Sequence, residues 1–392
     1  MRATLSAVPR RVATVLAALV ASGVLLLAPP ASASPKLLKG FWGPTHQLSG
    51  QSAFPIYRDL GVNVFQMQLH WNEIAPIKPV NPRSPSDPAY LWPGDVSYGI
   101  AQASAYHMQV AVMIIFAPRW ANGGRSPEWA PRNPQDFANF AYAASKKYPG
   151  VRLWMIWGEP SRTPNFQPET PQPESRANAG KPLNKAEARA PRIYASMLDA
   201  AYGQLKSAST KNLVIGGNTF SWGAQGIRPV PWVENMRFGP KDKKPRLDYY
   251  GHNPFTTRRP DIQHSKGPFC FDQHHKRSRK AGCADFSDLG WFGPVVDKNL
   301  GTKKHKHLPL FLSEFTIPTS NRDSEFPYYV SPSTQGSWIS SGFKVARAVG
   351  AKLYGWVHLY DDVDDHYSKF ISGGLLRSDG QKKPGYFAFR RG

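Results

Sequence analysis

Eight short apolar runs recur along the chain, at residues 37–42, 62–69, 110–116, 152–157, 213–217, 247–251, 308–313 and 352–358. Most are continuous rather than alternating, which predicts strands buried on both faces. Between them the apolar positions fall at helical spacing. A helix is predicted over 51–60, stopped by Gly61, and another over 95–107. A third starts at Asn133-Pro134, a capping residue followed by proline, and runs to about residue 148 with Phe137, Phe140, Ala141 and Ala144 on one face. Further helices are predicted over 185–208, 232–237, within 285–300, over 337–349 and over 384–389.

Strands alternating with helices predict an α/β fold with a parallel sheet. Eight such units over about 350 residues fit a (β/α)8 TIM barrel with long βα loops. The rival is a doubly wound open sheet. Against it, no strand is followed by a G-x-G-x-x-G phosphate loop, and Gly216-Gly217-Asn218 is not one. Six prolines, at 76, 79, 82, 85, 88 and 93, predict an extended surface loop over 76–93. Long polar loops are also expected over 160–191 and 258–283.

The N-terminus changes the picture of where the protein works. Arg2, Arg10 and Arg11 precede an apolar run over 12–27 and an Ala31-Ser32-Ala33 end, the three parts of a secretory signal peptide. Residues 1–33 are therefore expected to be a cleaved leader, with an uncleaved anchor as the alternative. Residues 34–392 are expected to form one secreted domain with no membrane association after cleavage. The formal net charge is +22, which favours anionic surfaces, and for an exported protein an anionic polymer is a more natural partner than a specific nucleic acid. The two cysteines, Cys270 and Cys283, are expected to pair as a loop-stapling disulfide. With His274 and His275 they could instead bind a metal, although the spacing matches no standard zinc pattern; no cofactor is expected. Oligomeric state is not legible.

In a (β/α)8 barrel the chemistry lies at the C-terminal ends of the strands. Those ends carry His70-Trp71, Trp120, Glu159, Asn218, His252-Asn253, Glu314 and Trp356 with His358. The run Leu153-Trp154-Met155-Ile156-Trp157 ends in Gly158-Glu159-Pro160, and a carboxylate there must face solvent or a site, because an unpaired buried charge is too costly. Glu314 ends the seventh run, across the barrel mouth. Two opposed carboxylates flanking one bond suit glycoside hydrolysis. Tryptophans near the strand ends (42, 71, 120, 157, 222 and 356) offer flat apolar faces to a sugar, although each also suits packing.

On these residues the chain resembles the clan A glycoside hydrolases, the retaining (β/α)8 superfamily that includes families 5 and 39. The resemblance rests on Trp154-Met155-Ile156-Trp157-Gly158-Glu159-Pro160 and Leu312-Ser313-Glu314-Phe315, with weaker support from His252-Asn253-Pro254-Phe255 and Gly355-Trp356. It implies Glu159 as acid/base, protonated at neutral pH, and Glu314 as the ionised nucleophile. It implies His252 and Trp356 as site-lining residues, with Trp120 and His70 as walls. Trp71, Asn218 and Asn253 complete the expected carbohydrate-binding set. Two positions depart from the family pattern. Gly158 stands where an Asn normally binds the sugar 2-hydroxyl, with Asn218 or Asn253 as replacements. Phe255 stands where relatives often carry a Tyr, with Tyr249 and Tyr250 nearby.

Three functions follow as expectations: a secreted retaining glycosidase; a carbohydrate-binding protein on the same barrel with catalysis weakened by Gly158; or a cationic nucleic-acid or wall-polymer binder, which leaves the two strand-end glutamates unexplained. The acidic run 361–366 is read as a rim loop able to pair with Arg119, Arg162 or a cationic substrate group, or as a calcium loop.

Overall fold

The computed structural model describes residues 36–168, 182–222, 226–261, 281–303, 305–324, 326, 328–363 and 370–392. The expected leader and Cys270 lie outside them. The eight apolar runs form strands β1 (Leu38–Trp42), β2 (Val64–His70), β3 (Gln109–Ile115), β4 (Leu153–Ile156), β5 (Leu213–Phe220), β6 (Tyr249–Asn253), β7 (Leu310–Leu312) and β8 (Leu353–Val357). All pair in parallel, in sequence order, and β8 returns to β1 to close the barrel. The open-sheet alternative is thereby excluded.

The helices are α1 (Phe54–Asp59), α2 (Trp71–Ile74), α3 (Gly94–Ala105), α4 (Arg119–Asn122), α5 (Pro134–Lys147), α6 (Arg189–Ala208), α7 (Pro229–Asn235), α8 (Leu289–Leu300), α9 (Pro332–Ala348) and α10 (Pro384–Arg391). Asn133 caps α5 by accepting from the Gln135 N–H, as its sequence predicts. Helix α9 starts five residues earlier than its apolar spacing suggests, because Ser331 caps it from the Thr334 N–H and Pro332 occupies its first turn. No helix among the described residues is long and apolar enough to cross a membrane.

Register decides which side chains look inward. Trp42 stands beside Gln66, and Gln68 beside Met113, which stands beside Met155. Phe41 stands beside Trp356, and both pack outward against Phe389 of α10. At the start of β1, the buried Lys39 ammonium donates to the carbonyls of Leu60, Phe389 and Arg390. It thus ties the first strand to the end of the last helix.

Candidate active site

Strand β4 leaves the sheet abruptly. Trp157 (φ 64°) and Glu159 (φ 42°) both adopt left-handed backbone, which costs non-glycine residues about 1–3 kcal/mol each. The surroundings hold the turn. The Trp157 indole is buried and donates to the Asn165 carbonyl at 2.7 Å, and the Asn218 amide donates to the Trp157 carbonyl at 2.7 Å. Trp157 is thereby sent outward against Phe137 and Phe166, while Glu159 turns to the mouth.

The Glu159 carboxylate is 7% exposed and well supplied with donors. Arg162 Nη1 lies 2.9 Å from Oε2, Asn165 Nδ2 3.4 Å from the same oxygen, and Asn253 Nδ2 3.0 Å from Oε1. The guanidinium also sits 4.8 Å over the Phe220 ring. Across the mouth, Ser313 Oγ donates to Asn253 Oδ1 at 2.7 Å, so one amide joins Glu159 to the residue preceding Glu314. The Ser313 carbonyl accepts from Gln66 Nε2 and Trp42 Nε1.

Glu314 is half-buried, and no hydrogen bond from a described residue reaches its carboxylate. Its pKa is pushed up to about 8, first by burial and then by the charge of Glu159, against the opposing pull of Arg162. The two glutamates are therefore electrostatically coupled, and the carboxyl whose ionisation is suppressed is Glu314, which the resemblance makes the ionised nucleophile.

Glu314 lines a cleft of about 490 Å³ with Trp42, Gln68, His358, Tyr360 and Asp362. A second cleft of about 700 Å³, bearing Gln66, His70, Glu73 and Asp95, shares Trp42 and Gln68 with it. His70 lies there, held by Gln68 and Glu73. Burial lowers the His358 imidazole below its usual range, against the charges of Asp362 and Asp323.

Five expected site residues are not at the mouth. Trp71 opens α2, which turns it into a fully buried aromatic layer with Phe137, Phe140 and the half-buried Trp120. Trp120 donates its indole N–H to the Ala75 carbonyl. Trp356 is 0% exposed and faces Phe315 and Phe389 in the helix layer. His252 alternates outward from Asn253. Its ring nitrogens meet Thr219 Oγ1 and the Ala284 carbonyl, and burial lowers its pKa to about 4. Asn218 is fully buried and bonded to the β4 turn, so it positions Glu159 rather than standing in for the missing Asn.

The place beside Gly158 is filled. A Cβ there would lie 2.8 Å from Met113 Sδ and 3.3 Å from Ile115 Cδ1. Phe255 packs with Phe220 and Phe326, Tyr250 meets Thr219, and Tyr249 stacks near Phe311, so none reaches Glu314. Asp361 is bound by the buried Lys383 ammonium at 2.9 Å, not by Arg119 or Arg162. Asp362 accepts from the Ile371 N–H. Cys283 is buried, and no described cysteine is free.

The sequence reading missed Arg162, Asn165, Gln66 and Gln68. Signals for two sets existed. Arg162 lies three residues after Glu159, and Gln66, Gln68 and His70 form a period-two polar row on an otherwise apolar strand.

No family model matches the chain, and no curated protein is similar to it in sequence. Solved structures are similar in fold. A family 39 glycoside hydrolase from Bacteroides cellulosilyticus superposes with TM-score 0.61 at 16% identity, over 91% of this chain and 63% of that one. A glucosidase from Croceicoccus marinus gives 0.60 at 13%, over 91% and 67%. A β-xylosidase from Caulobacter crescentus gives 0.56 at 14%, over 91% and 68%. The chain thus spans roughly two thirds of the length of these proteins. At such identities the likeness is one of architecture: the chain has the (β/α)8 barrel that these glycoside hydrolase structures share.

Proposed function

We propose that the protein is an exported retaining glycoside hydrolase acting on a polysaccharide or oligosaccharide at the barrel mouth. The observation that carries this reading is the coupled pair Glu159 and Glu314 at the ends of β4 and β7, bridged through Asn253 and Ser313. Charge coupling between two carboxyls at one mouth is what two-carboxylate catalysis requires. The solved glucosidase and β-xylosidase of the same fold support it. Glu159 donates the proton to the leaving oxygen, and Glu314 attacks the anomeric carbon. Water then releases the sugar with Glu159 as base.

The resting arrangement is one proton transfer away from this form. In the productive complex Glu314 is ionised, and the proton is carried at the Glu159 position facing the leaving oxygen. Above about pH 8 the pair loses that proton, and hydrolysis declines for want of an acid. Glu159→Gln and Glu314→Gln are each expected to lower sugar release roughly 10²–10⁴-fold across a glycan panel. Wild-type protein that releases no sugar from any panel member overturns the enzyme reading.

A second reading, carbohydrate binding without turnover, is favoured by the Arg162 clamp and by Met113 filling the space beside Gly158. Under it, a glycan binds the wild type and stays intact. Export, with cleavage near residue 33, and the Cys270–Cys283 disulfide belong to the proposal. The mass of the protein recovered from culture medium, before and after reduction and alkylation, tests both.

A further inference from the structure

Away from the carboxylate pair lies a cavity of about 670 Å³, where the loop between α4 and α5 meets the first turns of α6. Its walls carry Arg125, Arg132, Lys185, Arg189 and Arg192 and, among the described residues, no Asp or Glu. Arg192 is paired with Asp242 at 2.7 Å. The other four cations have no ion-pair partner among the described residues. Clustered like charges in a concave wall repel one another and concentrate positive potential there.

The wall is built rather than loosely draped. The buried Asn122 amide donates to the Ala117 and Ser126 carbonyls, and its oxygen accepts from the Arg125 N–H. The Arg125 guanidinium lies 3.8 Å from the Trp129 ring centre. Arg132 covers Gly123 (φ 79°), where a Cβ would come within 2.2 Å of the guanidinium carbon. Ala130 N–H donates to the Gln167 carbonyl, and Gln167 N–H to the Glu128 carbonyl. That strip joins the wall to the segment carrying Asn165, a donor to Glu159.

We propose that this cavity is a binding site for an acidic saccharide chain, outside the carboxylate pair. Four of its five cations are arginines, whose planar forks match carboxylate oxygens two at a time. Single-stranded nucleic acid needs open aromatic faces on which bases stack. Here the Trp129 face is already taken by Arg125, which favours sugar carboxylates over bases. The site stands whether or not the mouth is catalytic.

Titration calorimetry of the full chain with a galacturonic acid oligomer tests it, with a neutral cello-oligomer and a single-stranded oligonucleotide as comparison ligands. The wild type is expected to bind the acidic oligomer and not the neutral one. Arg132→Glu/Arg189→Glu is expected to weaken that binding roughly tenfold or more. Lys211→Glu/Lys344→Glu, with the same charge change at exposed lysines elsewhere, is expected to leave it within about twofold. Thermal unfolding checks each variant. Should the double charge reversal fail to fold, Arg132→Gln/Arg189→Gln is expected to show a smaller loss in the same direction. Glu159→Gln/Glu314→Gln is expected to bind the acidic oligomer as the wild type does, which separates this site from the catalytic reading. Absence of binding by the wild type, equal losses in the two charge-reversed pairs, or tighter oligonucleotide binding through Arg132 and Arg189 would each overturn the proposal.

Discussion

Arg162 is the residue on which the charge state of the mouth turns. It gives Glu159 a counter-ion and leaves Glu314 as the carboxyl whose ionisation is suppressed by burial and by its neighbour's charge. Glu159→Gln removes that charge, so Glu314 is expected to titrate below about pH 8, detectable by carbon NMR of labelled glutamate. A carboxyl whose pKa is raised on folding contributes fully at low pH, and that contribution is lost between its unfolded value near 4.5 and the folded value of about 8. Glu314→Gln is therefore expected to unfold at a higher temperature than wild type at pH 9, with the gain shrinking toward pH 5. Gly158→Asn places there the Asn of the clan A pattern but presses on Met113. A loss of about 1–3 kcal/mol is expected in denaturant unfolding, recovered in part when Met113→Ala is added. The two glutamates were legible in the sequence because a carboxylate after a buried strand has few places to go. Arg162's role was not, since a side chain reaching back three residues onto Glu159 depends on the left-handed turn at Trp157 and Glu159.

At the scale of the strand, one residue of alternation separates mouth from helix layer. Trp356 stands beside Phe41 and faces α10, whereas Val357 stands beside Trp42 and faces the cleft. Hydrophobic runs gave all eight strands because strands buried on both faces are apolar throughout. That same uniformity hides which tryptophan points which way. Trp42→Ala is accordingly expected to weaken glycan binding with little change in stability. Trp356→Ala is expected to cost about 3–5 kcal/mol in urea unfolding, while Trp356→Phe preserves binding. On β6 the outward His252 stays neutral with a pKa of about 4, below the usual value near 6.5. Stability is therefore expected to fall as pH drops from about 6.5 to 4, where only the unfolded chain gains the proton. Urea unfolding of His252→Asn over that interval should show a shallower decline than the wild type.

Across the whole molecule, the order of the strands was readable from the spacing of the runs, and closure of the sheet follows from there being eight of them. The loops were less readable, because prolines and polar residues mark where a loop runs but not what its side chains bind. Asp361 is the example: its partner Lys383 lies 22 residues away at the start of α10, a pairing no local pattern announces. Lys39 carries a consequence of a different kind. Its ammonium meets a carbonyl 350 residues downstream, and β1 finds its outer neighbour only in β8. During synthesis one edge of the first strand therefore stays open until β8 has emerged, and the growing chain stays threadable until that strand pairs with it.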